Sequence, residues 1–293
     1  MQIILNVLEI VAPVFILATI GFFWVKRGYD YPMDFVTNIV MTIGLPCLIF
    51  TALMKTKIDH DALVSTFFAS IVGYTLLTVV FFVLVKAFTL DVKTFLAPLI
   101  FSNTGNLGLP LALFAFGEVG LSYAIIVFAV MMVYSFSVGI WMVSGGGSPL
   151  RVLKDPIFLG VLFGAIFMLQ GWSTPTWLTN SIDLLGQLVI PLMLITLGVT
   201  LARLEFPAFG RSVWLSVVKL LVCIGVSYGI GFLFNLDKIA LAVLVVQMST
   251  PVAVTSYLIA QKYGANADEV AGLVVVSTAI SIIALPLMLG FLI

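Results

Sequence analysis

Apolar runs of about twenty residues, the length a bilayer crossing needs, follow one another along the whole chain with only short polar joints between them. Ten are predicted as spanning helices, at about 3–25, 34–54, 62–86, 94–117, 121–143, 155–170, 176–202, 211–233, 238–262 and 269–292. The run at 155–170 is short, and the loop 171–174 could belong partly to it. The first run lacks the basic start and small-residue cleavage site of a signal peptide, so it reads as a span that stays. The longest polar joint, 144–154, carries Gly145, Gly146, Gly147 and Ser148 and suits a flexible connector between two units, 1–143 and 155–293. It does not read as a phosphate loop, because no Lys-Ser/Thr follows and the next helix starts at Asp155-Pro156.

Composition strengthens this picture. Hydrophobic residues make up 62% and charged residues 9% of the chain, against about 25% charged in soluble domains. A water-soluble surface cannot be covered with so few charges. Net charge is zero with no basic stripe, so nucleic acid is not an expected partner. Cys47 and Cys223 lie inside apolar runs, and His60 stands alone between Asp59 and Asp61. Neither arrangement gives metal-type spacing, and no metal or cofactor is expected.

Lysine and arginine orient the spans through the positive-inside bias. The odd-numbered loops hold Lys26, Arg27, Lys86, Lys93, Arg151, Lys154, Arg203, Arg211 and Lys262, while the even-numbered loops hold Lys55, Lys57 and Lys238. The odd loops, including the 144–154 connector, are therefore expected in the cytoplasm and both termini outside. All five tryptophans (Trp24, Trp141, Trp172, Trp177 and Trp214) fall near span ends, where interfacial aromatics belong.

Ten spans divide into five and five, and an odd number per unit makes any repeat inverted. An offset of 145 carries Pro46 of Gly44-Leu45-Pro46 onto Pro191 (191 − 46), and also Asn38 onto Asp183 and Asn106 onto Pro251. Pro13 and Pro156 differ by 143 instead, and Pro286 has no proline counterpart in span five.

Two polar clusters sit mid-span, where hydrocarbon tolerates them least. Span four holds Ser102-Asn103-Thr104-Gly105-Asn106-Leu107-Gly108-Leu109-Pro110, and span nine holds Gln247-Met248-Ser249-Thr250-Pro251. Gly105 and Gly108 weaken the helix, and Pro110 and Pro251 remove an amide donor and crowd the preceding turn. Interruptions in corresponding places of two units point to a transporter site. Each break creates a half-helix N-terminus whose unpaired N–H groups attract anions. Two such ends are expected to hold a carboxylate without a buried Arg or Lys. The same small polar residues also pack membrane helices together, which is the competing reading.

Lys219, within span eight, reads either as a lysine snorkelling to the headgroups or as a substrate counter-ion. Asp183 and Glu9 lie near outer helix ends, as proton relays or solvated carboxylates. Gly160/Gly164 and Gly225/Gly229 have close-packing spacing. No Asp or Glu occupies the core of spans four or nine, so coupling through a central carboxylate is not predicted there. Sodium held by carbonyls and hydroxyls stays open.

Asn103-Thr104 followed by Gly108-Leu109-Pro110-Leu111, and Gln247 four residues before Pro251, resemble the fourth and ninth helices of the auxin efflux carrier family. The tail from Ala260-Gln261-Lys262-Tyr263-Gly264 to Ala284-Leu285-Pro286 is similar too. The resemblance implies an all-α membrane fold of ten helices in a 5+5 inverted repeat, like bile-acid and sodium–proton carriers, with helices four and nine broken and crossing. It further implies a scaffold bundle, a moving bundle and a carboxylate at the crossing. Bacterial members are associated with malate and malonate, plant members with auxin. The short joint after span five departs from the long plant insert, which favours small acids.

The leading expectation is a carrier of a small carboxylate in a bacterial inner membrane, forming a homodimer. Asn103, Thr104, Gly105, Asn106, Gln247, Met248, Ser249 and Thr250 would line its site, and Gly108, Pro110 and Pro251 would hold the breaks. Asp183 and Lys219 are the candidates for coupling or counter-charge. The alternatives are a membrane sensor that binds without transporting, and a sodium-coupled carboxylate symporter. An intramembrane enzyme finds no support, since no His pair, acidic pair or Gly-x-Ser-x-Gly run lies at membrane depth.

Overall fold

A computed structural model describes residues 2–139, 142, 155–203 and 209–293. The connector 144–154, with its glycines, Arg151 and Lys154, lies outside the described residues, as does Trp141.

Twelve helical segments are described. They are α1 (Gln2–Lys26), α2 (Met33–Lys55), α3 (His60–Ala87), α4 (Val92–Ile100), α5 (104–116), α6 (118–139), α7 (Pro156–Gln170), α8 (Thr176–Arg203), α9 (Phe209–Leu233), α10 (Lys238–Ser249), α11 (Val254–Tyr263) and α12 (Ala267–Leu292). Four of them start on a side chain that accepts from their own first turn: Asp91, Asp155, Asp237 and Asn266. Such caps satisfy amides that have no partner inside the helix.

Seven described helices are long and apolar enough to cross a membrane, against ten predicted spans. The difference has local causes. Spans four and nine are each cut into two short helices, α4/α5 and α10/α11, and α7 has only 15 residues. Helices α5 and α6 follow one another without a loop through Gly117, whose φ of 64° and ψ of −156° suit only glycine. Prolines disturb the turns before them. A widened turn at Val40–Gly44 precedes Pro46, another at Thr104–Gly108 precedes Pro110, and Leu188 interrupts α8 just before Pro191. A proline ring crowds the carbonyl one turn back, and a wider turn relieves the clash.

The segments gather into two groups. In the first, α1 packs on the second half of α8, and α7 packs on the second half of α2. Backbone meets backbone in both places. A Cβ on Gly198 would lie 1.8 Å from the Ala18 carbonyl oxygen, and one on Gly160 would lie 2.8 Å from the Pro46 Cα. The predicted close-packing role thus holds for Gly160 and Gly164, the latter against Leu53 and Phe50. It fails for Gly225 and Gly229, which meet nothing within 4 Å, because they lie on the exposed side of α9. The other segments pack around the α4/α5 and α10/α11 breaks. Large apolar side chains such as Phe82, Leu221, Ile283 and Phe291 point outward, a surface suited to lipid and not to water.

Candidate functional site

Helix α4 ends at Ile100, α10 ends at Ser249, and the chain after each runs extended. The two extended runs pair antiparallel through an isolated bridge between Ser102 and Val252. Asn103 N donates to the Pro251 carbonyl (2.7 Å) and Ala253 N donates to the Phe101 carbonyl (3.1 Å). Ser102 Oγ donates to the Met248 carbonyl at 2.7 Å, and Val252 N donates to Ser277 Oγ of α12 at 3.0 Å. The breaks therefore satisfy much of each other's freed backbone, as a non-helical segment at membrane depth must. Pro251 has no amide to give, and its carbonyl is what the joint uses.

The first turns of α5 and α11 begin directly at this crossover, so their N-terminal N–H groups are aimed at it. Beside them lie polar atoms that are buried without a hydrogen-bond partner: Asn103 Nδ2, Thr104 Oγ1, both amide atoms of Gln247, and Ser249 Oγ. Gln247 lies flat on Gly108, where a Cβ would come within 2.2 Å of Gln247 Oε1. This close approach joins the span-nine cluster to the span-four cluster. A buried unpaired polar atom costs about 1–3 kcal/mol, and several gathered at one place call for a polar partner such as water or a ligand.

The remaining predicted residues are placed as follows. Gly105 is buried against Phe128 and Met193, Asn106 is half-buried, and Met248 reaches Gly73 on α3. Thr250 Oγ1 donates to the Gln247 carbonyl, so that hydroxyl is already engaged. Asp183 is not at the crossover. It pairs with Lys55 at the mouth of a cavity of about 710 Å³ lined by α1, α2, α5, α6 and α8, including Lys57, Glu118, Phe114 and Pro191.

Lys219 excludes one of its two readings and corrects the expectation of a crossover without a buried cation. It does not snorkel: it is 2% exposed, and its ammonium donates to Ser102 Oγ (2.7 Å) and to the Thr250 carbonyl (2.8 Å). Nor does the crossover lack a buried cation. The C-terminal end of α10 carries partial negative charge, and Lys219 is drawn to it across the helix interface. Among the described residues the ion pairs are Lys55–Asp183 and Arg211–Glu269, so Lys219 has no carboxylate partner there. The sequence held a signal for this. Ser212, Ser216, Lys219, Cys223 and Ser227 recur at helical spacing and are all buried on one face of α9. The part played by Ser277 left no such mark, because serines in membrane helices often bond only their own backbone.

A family profile described as membrane transport protein matches residues 6–152 and 140–289. The chain is 26% identical to an uncharacterized transporter of Methanocaldococcus jannaschii, over 96% of this chain and 97% of that one. It is 27% identical to an uncharacterized transporter of Methanothermobacter thermautotrophicus, over 95% and 96%. It is 24% identical, over 93% and 92%, to a Rhizobium meliloti protein whose name assigns it provisionally to malonate transport.

Proposed function

The chain belongs to the membrane transport protein family, that of the auxin efflux carriers, and from there we propose a secondary carrier for a small organic anion, a mono- or dicarboxylate such as malonate or malate. That the protein is a multi-pass membrane transporter and not an enzyme follows from the family and from its transporter relatives. The observation that supports the anion is the crossover itself. Unpartnered Asn103, Thr104 and Gln247 atoms lie beside two half-helix N-termini, with the Lys219 ammonium on the adjoining hydroxyl. Donors of this kind, already fixed in place, suit a carboxylate.

The proposal includes ten crossings in two inverted units of five, 1–143 and 155–293, in which α4/α5 and α10/α11 each make one crossing. Its support is the reciprocal packing of α1 on α8 and of α7 on α2, together with the irregular turns before Pro46 and Pro191. Alternating access then moves the crossover group against the α1, α2, α7 and α8 group, with the cavity at Lys55, Lys57 and Asp183 as one entrance. Both termini lie outside the bacterial inner membrane in this reading, which rests on the nine-to-three lysine and arginine bias.

Purified protein in liposomes should exchange labelled malonate or malate, and Asn103→Ala or Gln247→Ala should cut that exchange. Exchange at the wild-type rate in both variants would remove the crossover as the site. Saturable binding with no flux under any gradient would favour a sensor instead.

A further inference from the structure

Four of the unpartnered buried polar atoms, Ser249 Oγ among them, lie on α9, α10 and α12. Ser212 Oγ, Ser216 Oγ, Ser249 Oγ and Glu269 Oε2 belong to the interface of α9 with α10 and α12. Ser212, Ser216 and Lys219 are spaced i, i+4 and i+7, one face of α9, over about 10 Å of helix rise. The line starts at the partly exposed Glu269, whose Oε1 accepts from Arg211 Nη1 at 2.9 Å, and it ends in a crevice bordered by Ser216, Lys219, Ser249, Thr250, Ser277 and Ser281. The crevice measures about 10 Å³, close to the room one water takes.

We propose that this line is a proton path to Lys219, and that transport of the anion is coupled to a proton. This rests on the carrier reading above. None of these hydroxyls bonds the next, so the path needs a water between successive groups; each hydroxyl and each water accepts one proton and releases another, and no covalent change remains along the path. At its end the Nζ lone pair takes up a proton, –NH₂ becoming –NH₃⁺, and the proton comes from water through the Glu269 carboxyl. An ammonium buried without a carboxylate is costly, and an arriving substrate carboxylate supplies the missing charge. Binding of the anion and of the proton therefore favour each other, by reciprocity of linked equilibria. The other groups facing Lys219 do not replace the proton. Cys223 lies one turn along α9, with Tyr74 of α3 near Cys223, while α4/α5, α10 and α12 present hydroxyls and the Thr250 carbonyl.

The test uses reconstituted full-length protein with two readouts. One is counterflow of labelled malonate at equal pH. The other is malonate accumulation driven by a pH gradient with the membrane potential clamped by valinomycin and potassium. The gradient should drive accumulation in the wild type. Ser212→Ala/Ser216→Ala removes hydroxyls without a hydrogen-bond partner among the described residues, so it should fold and keep its counterflow while gradient-driven accumulation slows about tenfold or more. Lys219→Arg, whose guanidinium holds its proton, should lose the response to the gradient. Counterflow without any gradient response in the wild type would overturn proton coupling and leave the carrier standing. A full gradient response in both variants would overturn this path. Absence of malonate and malate counterflow in the wild type would refute the carrier reading and this inference with it.

Discussion

Lys219→Met separates a substrate counter-charge from a structural clamp. At a pH low enough to keep Lys219 protonated, the substitution removes two charge-assisted hydrogen bonds, to Ser102 Oγ and to the Thr250 carbonyl. At about 1.5–3 kcal/mol each, that is a loss of roughly 3–6 kcal/mol. Against it stands the cost of burying an ammonium without a carboxylate, several kcal/mol per ion, which methionine avoids at similar volume. Ser102 Oγ keeps its bond to the Met248 carbonyl. The two sums nearly cancel, so the unliganded protein should melt within a few degrees of the wild type. The bound anion loses more. A carboxylate about 5 Å from the ammonium gains about 3 kcal/mol at an effective dielectric constant near 20, on the order of a hundredfold in Kd. Thermal unfolding in detergent with and without malonate reads both quantities. A large fall in Tm without ligand, combined with undiminished stabilisation by malonate, would refute the counter-charge and leave Lys219 as a clamp.

Further outcomes follow from packing, charge and capping. Gly198→Ala should lower Tm, because overpacking typically costs about 1–3 kcal/mol and the new Cβ meets the Ala18 carbonyl, whereas Gly225→Ala, facing open space, should not; equal unfolding curves would contradict the α1–α8 contact. Lys57→Glu changes the cavity mouth from two cations and two carboxylates to one and three, so malonate uptake should slow at low ionic strength and recover in high salt. Asp237 caps α10 through the Ile239 and Ala240 amides and accepts from Tyr123 OH, so Asp237→Ala should cost about 1–2 kcal/mol and Tyr123→Phe distinctly less, as measured by denaturant unfolding.

Much of the architecture was legible in the residue pattern, for particular reasons. Spans four and nine are each cut as expected, but only Pro251 lies in its break: the span-four break is at 101–103, and Gly105, Gly108 and Pro110 follow it inside α5, where they widen its first turn. The Gly160/Gly164 spacing became a real backbone contact, while the same spacing at Gly225/Gly229 did not. Spacing carries no information about which face meets a neighbour. Lys219 carried two readings for the same reason: a mid-span lysine can turn towards lipid headgroups or towards protein, and the serine face of α9 is what favours protein. Which side chains would have partners was not legible either. Ser102 is engaged across the joint and Thr250 at the end of its own helix, while Asn103, Thr104 and Gln247 are not engaged, and the register of the 101–103 and 251–253 runs sets the Ser102 bond.

That register bears on how such a protein can change over evolutionary time. The crossing is fastened largely by main-chain atoms of residues 101, 103, 251 and 253, which nearly any side chain supplies equally. Asn103 Nδ2 and the Gln247 amide add no hydrogen bond to it among the described residues. Replacing them by side chains of similar volume therefore leaves the main-chain fastening intact, and if the proposed site is right, new cargo specificities can be sampled at these two positions without endangering the frame around them.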